Sequence, residues 1–280
     1  MTTFPAGPRR DGAAKALVCL SFFLFAVSDV IAKHVSRDFS VNQVIFVSAA
    51  VTFVPVLLFM RATGDRRYLP RRLGLCVVRS LFACISVILL VESFGRLPVA
   101  DAYTLSFTAP LIVAALSGLF LGERVGTMQW AAIVVGFAGV VVVLGPGYGA
   151  GGADAASGAA QVGMGLALVS AVFFALGILL LRRIGTSESA GSILIVFLLT
   201  TLVVTGVPLL WEWRTPSRVE DWGAMVLIGF AAGGAHIAMV SAFRRGEAAR
   251  LAPFQYTQLV WGMVLGLLVF GDRPSLQVVT

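Results

Sequence analysis

Long apolar runs separated by short polar segments fill almost the whole chain. A run of about 20 apolar residues is long enough to cross the hydrocarbon core of a bilayer as a helix. The sequence contains nine such runs, at residues 13–33, 41–60, 73–92, 99–121, 127–145, 162–182, 190–211, 222–243 and 250–270. After Pro274, the segment SLQVVT has the pattern of the first turns of a tenth helix. The pattern therefore predicts an all-α polytopic membrane protein.

A helix–turn–helix sequence occurs twice, half a chain apart. Residues 241–273 align without a gap on residues 92–124, at an offset of 149 positions. The matched pairs include Phe94 with Phe243, Arg96 with Arg245, Ala100 with Ala249, Thr108 with Thr257, and the acidic–basic stops 122–124 and 271–273. Because each half would hold an odd number of helices, the second half enters the membrane from the opposite side. The repeat is therefore predicted to be inverted, as in many secondary transporters.

The repeat divides the chain into four predicted segments. Residues 1–12 are rich in Pro, Gly and Arg and are expected to form a disordered cytoplasmic tail. Residues 13–146 form the first repeat, with five transmembrane helices, and residues 147–161 form a Gly/Ala linker. Residues 162–280 form the second repeat, with four helices and the start of a fifth. A cleaved signal peptide is the alternative for the first run, but its length and the need for five helices per half favour a retained helix.

The charge pattern supports this membrane assignment and predicts an orientation. The chain is 58% hydrophobic and 12% charged with a mean hydropathy of +0.93, whereas soluble domains are about a quarter charged. Lys and Arg cluster between the apolar runs, with fourteen on the side of the N-terminus and six on the other. This bias predicts a cytoplasmic N-terminus. It also accounts for the net charge of +7 without a nucleic-acid partner.

The sequence contains no pattern typical of an enzyme or of a metal site. Cys19, Cys76 and Cys84 lie in apolar runs without ligand spacing, which argues against a disulfide framework and against metal binding. Walker A, GxSxG and HExxH sequences are absent. No catalytic residue and no cofactor is therefore predicted.

Five side chains lie within the predicted helices between the inner face and the midplane of the membrane. Polar groups are costly there and mark candidate sites. Arg79 lies six residues into the third run, and His236 lies seven residues from the inner end of the eighth. Tyr256, Gln258 and Trp261 lie six, eight and eleven residues into the ninth. This set predicts a cavity that binds a planar, polar small molecule by stacking and hydrogen bonds.

Each of these residues has a structural alternative. Arg79 is close enough to the inner face to extend its guanidinium to the headgroups. His236 could form a helix–helix hydrogen bond, and Trp261 could be a packing residue. Asp29, near the outer end of the first run, is expected at the interface in a pair with Lys33 one turn later. It is also a candidate for proton coupling.

Two segments resemble the EamA domains of the drug/metabolite transporter superfamily. They are GRLPVADAYTLSFTAPLIVAALSGLFLGERVG in the first half and GGAHIAMVSAFRRGEAARLAPFQYTQLVWG in the second. The second is similar to a branch that contains riboflavin and S-adenosylmethionine transporters. The resemblance implies a ten-helix carrier of the bacterial inner membrane with a central cavity. It implies substrate-binding roles for Arg79, His236, Tyr256, Gln258 and Trp261.

Two features depart from the family pattern. Many relatives have an arginine in the second helix where this chain has Ser48, so a substrate clamp of two arginines is in doubt. The tenth helix is incomplete at the C-terminus, and the resemblance leaves open whether the chain is a fragment.

The leading hypothesis is a secondary transporter that moves a small polar metabolite by alternating access, coupled to protons or another gradient. The substrate class implied is a vitamin, a nucleoside-like or an amino-acid-like metabolite. The alternative is a membrane scaffold or a channel without a carrier cycle. The sequence leaves open the substrate, the direction of transport, the coupling ion and the oligomeric state.

Overall fold

The computed structural model describes residues 8–121, 126–143, 158–184, 188–243, 245 and 251–272, and every regular element within them is helical. The helices are α1 (Pro8–Val35), α2 (Val41–Ala62), α3 (Leu73–Phe94), α4 (Val99–Ser106), α5 (Ala109–Leu121), α6 (Thr127–Val143), α7 (Gly158–Ile184), α8 (Ala190–Gly206), α9 (Leu209–Glu212), α10 (Val219–Phe243) and α11 (Thr257–Phe270). A 3₁₀ helix, Ala252–Tyr256, precedes α11. The predicted all-α fold is confirmed.

Seven helical segments of the described chain are long and apolar enough to cross a membrane. They are Gly12–Val35, Val41–Ala62, Leu73–Phe94, Val99–Ser117, Gly158–Ile184, Val219–Phe243 and Pro253–Phe270. The two other predicted runs contain α6 and α8, which have 17 residues each. The predicted tenth helix lies outside the described residues.

Two helices begin earlier than the apolar pattern suggests. α1 begins at Pro8, within the predicted tail, and α7 begins at Gly158, within the predicted linker. Hydropathy marks only the part of a helix that faces hydrocarbon. Backbone hydrogen bonding continues beyond that part, because the first turn of a helix tolerates polar and small residues that face water. Most of the predicted linker, residues 147–157, lies outside the described residues.

The helix boundaries of the first half recur in the second at the offset of 149 residues. The ends of α1, α3 and α5 match the ends of α7, α10 and α11. The N-cap of α2, Ser40, accepts a hydrogen bond from the Gln43 backbone N–H, and its counterpart Ser189 caps α8 in the same way. The repeat is thus present in the backbone and its capping as well as in the sequence.

Helix packing follows the same symmetry. α1 packs against α10 as α7 packs against α3, and α2 packs against its own counterpart α8. The Ser21 hydroxyl donates to the Ala235 carbonyl at 2.8 Å, and its counterpart Ser170 donates to the Ser86 carbonyl at the same distance. One end of the bundle holds the C-terminus of α1 near Asp272, and the other holds the C-terminus of α7 near Glu188. The two repeats therefore run in opposite directions, which confirms the inverted repeat.

The fourth helix of each repeat is interrupted at an equivalent position. The break between α4 and α5 falls at residues 107–108, and the change from the 3₁₀ helix to α11 falls at 256–257. In the first copy, Pro110 lies in the first turn of α5, where a missing N–H leaves no hydrogen bond unmade. In the second copy, Pro253 lies at the start of the 3₁₀ helix. The two breaks have different sequence causes but the same place in the fold.

Contacts at both ends of the bundle join the two repeats. At the end that we call the Lys33 end, the Lys33 ammonium donates to Asp272 Oδ2 at 2.6 Å and to the Leu97 carbonyl at 3.1 Å. At the opposite end, which we call the Glu188 end, the carboxylate of Glu188 accepts the backbone N–H groups of Arg71 and Arg72, each at 2.9 Å. The bond from Arg71 is the main reason that the pKa of Glu188 is lowered.

The contact between α2 and α10 depends on glycine. A Cβ at Gly229 would lie 2.7 Å from the Ser48 carbonyl oxygen and 2.6 Å from the Val51 Cβ, so the two backbones could not keep their spacing. Small residues permit such close approach between membrane helices.

We expect Gly229→Ala to lower the free energy of unfolding by about 1–3 kcal/mol, the usual cost of overpacking. Gly223 lies on the same helix, and a methyl group at its Cα would have no atom within 4 Å, so Gly223→Ala is the matched control. The control should change stability by less than about 1 kcal/mol, in the stabilising direction. Equilibrium unfolding in mixed micelles measures both, and equal effects of the two substitutions would contradict this packing analysis.

We expect the Lys33–Asp272 pair to couple the two repeats more strongly than an exposed pair. Its side chains are 9% and 21% exposed, compared with 36% and 39% for Arg96 and Glu92. A double-mutant cycle with Lys33→Met and Asp272→Asn should give a coupling free energy above about 1 kcal/mol, because partial burial reduces screening.

The matching cycle at the exposed pair, with Glu92→Gln and Arg96→Gln, should give about 0.5 kcal/mol or less. The same unfolding assay measures both cycles. Equal coupling at the two pairs would show that the Lys33–Asp272 contact does not hold the repeats together.

Candidate substrate site between the repeats

Asp29 lies on the interior face of α1 and binds side chains from two other helices. The Tyr103 hydroxyl donates to Asp29 Oδ2 at 2.5 Å, and Gln258 Nε2 donates to the same oxygen at 3.4 Å. Tyr103 is 2% exposed and belongs to the interrupted fourth helix of the first repeat, while Gln258 lies in the first turn of α11. Asp29 therefore connects the two interrupted helices.

The expected pair between Asp29 and Lys33 is not formed. The two residues are one turn apart, a spacing that favours pairing on an isolated helix. Lys33 instead binds Asp272 and the Leu97 carbonyl, and its ammonium lies 4.8 Å from the centre of the Phe270 ring. Partners beyond its own helix compete for Lys33, and Asp29 turns to the protein interior.

His236 lies between aromatic rings from both repeats. Its ring centre is 5.0 Å from that of Phe25 on α1 and 6.2 Å from that of Phe197 on α8, and both contacts are edge-on. The helix–helix hydrogen bond considered from the sequence is not among the contacts of the described residues. An imidazole that keeps its ring nitrogens free of partners on neighbouring helices can bind a ligand.

Arg79 lies over the ring of Phe197, which His236 also contacts. Its guanidinium carbon lies 5.8 Å from the centre of the Phe197 ring. Its Nε atom is buried and has no hydrogen-bond partner. Arg79 also interacts electrostatically with His236. The side chain thus lies within the bundle beside His236.

Trp261 and Tyr256 contact the first repeat through their rings. The Trp261 ring lies edge-on to Phe23 with centres 5.0 Å apart, and Tyr256 lies edge-on to Phe107 at 5.4 Å. Phe107 and Tyr256 are counterparts in the two repeats, so this contact lies at the pseudo-two-fold axis. Tyr256 keeps 56% of its surface exposed, which leaves most of its ring available.

Each of the predicted site residues makes at least one contact that joins the two repeats, and so does Asp29. The pairs that cross between the repeats are Asp29 with Gln258, Phe25 with His236, Phe23 with Trp261, Phe107 with Tyr256, and Arg79 with Phe197. The predicted site residues thus fall into two groups that α1 connects. Arg79 and His236 meet at Phe197, while Tyr256, Gln258 and Trp261 lie on the 3₁₀ helix and α11.

Several residues at this interface were not identified from the sequence. Tyr103, Phe23, Phe25 and Phe197 carry no signal there, because an aromatic residue in an apolar run is common. Tyr103 could have been suspected from its place in the interrupted fourth helix, four residues before the break. Its hydrogen bond to Asp29 on α1 could not have been predicted from the sequence.

Metal binding has no support in the described part of the chain, where no group of three or more His, Cys, Asp or Glu residues could hold an ion. What the arrangement offers instead is a set of hydrogen-bonding groups and aromatic faces between two inverted repeats. A site of this kind between two inverted repeats is typical of membrane transport proteins, and this is the class that the fold indicates.

Comparison with known proteins agrees with this class. The model of the EamA-like transporter family matches residues 13–145 and again residues 161–280. The chain belongs to the EamA-like transporter family. The family and its named relatives are transporters, not enzymes.

Curated relatives match over most of their length. The pseudopaline exporter CntI of Pseudomonas aeruginosa is 26% identical over 92% of this chain and 88% of its own length. The riboflavin transporter of Vibrio cholerae is 26% identical over 89% and 82%. The S-adenosylmethionine uptake transporter of Rickettsia bellii is 23% identical over 91% and 84%. A solved crystal structure has the same fold, with a TM-score of 0.68, 20% identity, and coverage of 96% of this chain and 91% of its own.

Proposed function

We propose that this membrane protein is a secondary transporter that moves a small polar metabolite across the bacterial inner membrane by alternating access. The observation that carries the proposal is that the polar and aromatic side chains within the bundle contact each other across the repeat interface. A substrate bound there would touch both repeats at once. Movement of one repeat against the other would then expose it to each side in turn.

Five residues are proposed to bind the substrate: Arg79, His236, Tyr256, Gln258 and Trp261. Arg79 and His236 offer hydrogen-bond donors near the Glu188 end of the bundle. Tyr256 and Trp261 offer aromatic faces for a flat ring. The Gln258 amide, which donates to Asp29, can donate to a substrate group instead. The relatives carry riboflavin, S-adenosylmethionine and pseudopaline by name, so a vitamin, a nucleoside-like and an amino-acid-like substrate all belong in the test.

The contacts at the two ends of the bundle suggest how access alternates. The Lys33–Asp272 pair joins the repeats at one end, and the bonds of Glu188 to the backbone of Arg71 and Arg72 join them at the other. In a carrier cycle, each end must open while the other stays closed. With the N-terminus cytoplasmic, the Glu188 end faces the cytoplasm.

Asp29 is the proposed proton-coupling residue. Its carboxylate is held by one oxygen between Tyr103 and Gln258, which come from the two interrupted helices. A proton added to this carboxylate converts an acceptor oxygen into a hydroxyl donor. The hydrogen bonds that Tyr103 and Gln258 donate to it would then have to change. A change of charge at Asp29 can thus be transmitted to both repeats. His236 is the second titratable group at the interface.

Proteoliposome flux tests the carrier. We expect saturable flux of at least one compound from a panel of riboflavin, S-adenosylmethionine, amino acids, nucleobases and pseudopaline. Because the relatives include an exporter and uptake proteins, flux is measured in both directions. Trp261→Ala should lower the apparent affinity about three- to tenfold through loss of an aromatic contact.

Trp211→Ala is the matched control, because Trp211 is 79% exposed on the short helix α9 and lies outside the interface. It should leave the flux unchanged. Absence of flux for every compound contradicts a carrier. Continuous ion conductance in the same membranes would instead support a channel.

Asp29→Asn should abolish the response of flux to a pH gradient, because the amide cannot bind and release a proton. Exchange of labelled for unlabelled substrate needs no net proton movement and should persist at saturating substrate. Glu92→Gln is the control, since Glu92 is partly exposed and paired with Arg96 at the end of α3. A pH response that survives in Asp29→Asn and disappears in His236→Gln would assign coupling to the histidine.

A further inference from the structure

We propose that the substrate is a zwitterion, whose carboxylate or equivalent anionic group binds Arg79 and whose ammonium group binds Asp29, with a flat body lying along the aromatic residues between them. This inference rests on the proposed function and names the substrate class of its site. It adds Asp29, Phe25 and Phe197 to the substrate-binding residues.

The first observation is a buried cation without an anion. Within the described part of the chain, the ion pairs are Lys33–Asp272 and Arg96–Glu92, and neither involves Arg79. The Nε of Arg79 is buried without a hydrogen-bond partner. A guanidinium within the bundle is stabilised by a planar anion that accepts two parallel hydrogen bonds. The protein leaves that position to another molecule.

The second observation is an anion without a cation. Asp29 accepts hydrogen bonds from Tyr103 and Gln258, which are both uncharged donors, and both bonds go to Oδ2. Among the described contacts, none is made to Oδ1. The nearest cation along the helix, Lys33, is held by Asp272. A carboxylate inside a bundle is costly unless it is paired, and an ammonium group from a ligand would supply the pair.

The third observation is that one continuous row of side chains connects these two charges. Arg79 lies over Phe197, Phe197 contacts His236, and His236 contacts Phe25, with separations of 5.8, 6.2 and 5.0 Å. Phe25 and Asp29 are one helical turn apart on α1 and therefore share a face. A single molecule that runs along this row reaches both charges. Its flat body would stack on aromatic rings instead of being exposed to hydrocarbon.

A zwitterion explains the arrangement better than an anion or a cation alone. An anion would neutralise Arg79 and leave Asp29 unpaired, and a cation would do the reverse. Since each unpaired charge in the bundle raises the energy of the bound state, only a ligand with both charges satisfies the whole row. The ligand as a whole is neutral, so it also crosses with little electrical work.

Binding of matched compounds to the purified full chain tests the proposal. The test set is 4′-(aminomethyl)biphenyl-4-carboxylate, whose charges lie at opposite ends of a flat body, with two singly charged analogues that keep only the amine or only the carboxylate. The zwitterion should bind about tenfold tighter than either analogue, the effect of one charge-assisted hydrogen bond.

Substitutions then assign each charge to its residue. In Arg79→Gln, the zwitterion should bind no better than the amine-only analogue, and in Asp29→Asn no better than the carboxylate-only analogue. Arg245→Gln and Glu92→Gln remove the same charges from exposed positions and should keep the full preference. Arg79→Lys and Asp29→Glu retain the charges, so they should keep the preference at lower affinity and show that folding is intact.

The outcomes separate this inference from the proposed function. If the protein transports a compound such as riboflavin but binds the zwitterion no better than its analogues, the carrier stands and the zwitterion is excluded. The same exclusion follows if the zwitterion does not bind or if the Gln and Asn variants keep the preference. Absence of flux for every compound in the transport panel, with zwitterion binding intact, would overturn the carrier and leave the binding site.

Discussion

A polar side chain within hydrocarbon has no water to hydrogen-bond, and this constraint separates the polar residues of the bundle into two kinds. Ser21, Ser170 and Thr52 bind backbone carbonyls on neighbouring helices and are satisfied by the scaffold. The scaffold satisfies Arg79 and Asp29 only in part, because the guanidinium has a buried nitrogen without a partner, and the carboxylate, although hydrogen-bonded, has no cation among the described residues. The first kind holds the helices together, and the second kind forms the proposed ligand site.

The duplication makes this separation visible. The serine-to-carbonyl bond between α1 and α10 recurs between α7 and α3, and the serine cap of α2 recurs on α8. The site residues do not recur, since the counterparts of Asp29, Arg79, Gln258 and Trp261 are Ile178, Ile228, Ala109 and Ile112. The scaffold contacts are therefore repeated in both halves. Each of the polar site residues occurs in one half only, with an apolar residue at the equivalent position of the other. A substrate bound there has a defined orientation.

Much of the fold was predictable because its determinants are local. Helix positions follow from apolar runs, and the repeat follows from matched residues, so both were recovered within a few residues. The partner of Asp29 was not, because the sequence shows Lys33 one turn away but cannot show that Asp272, far along the chain, binds that lysine at 2.6 Å. Arg79 illustrates the same limit, since its depth alone fits both the headgroups and the interior. Only the packing of α8 beside α3 places Phe197 under its guanidinium.

The interrupted fourth helices connect the site to the movement that transport requires. Tyr103 lies four residues before the break in the first copy, and Gln258 lies directly after the break in the second. Both donate to one carboxylate oxygen of Asp29, so a ligand or proton that takes this oxygen would release a residue within one turn of each break. A helix that is already interrupted bends there at lower cost than a continuous one, because fewer backbone hydrogen bonds must be broken. In the proposed cycle, binding at Asp29 would act where a small chemical change can alter the angle of the fourth helix in both repeats. The carboxylate, more than the aromatic rings around it, would then be the point at which occupancy is converted into movement.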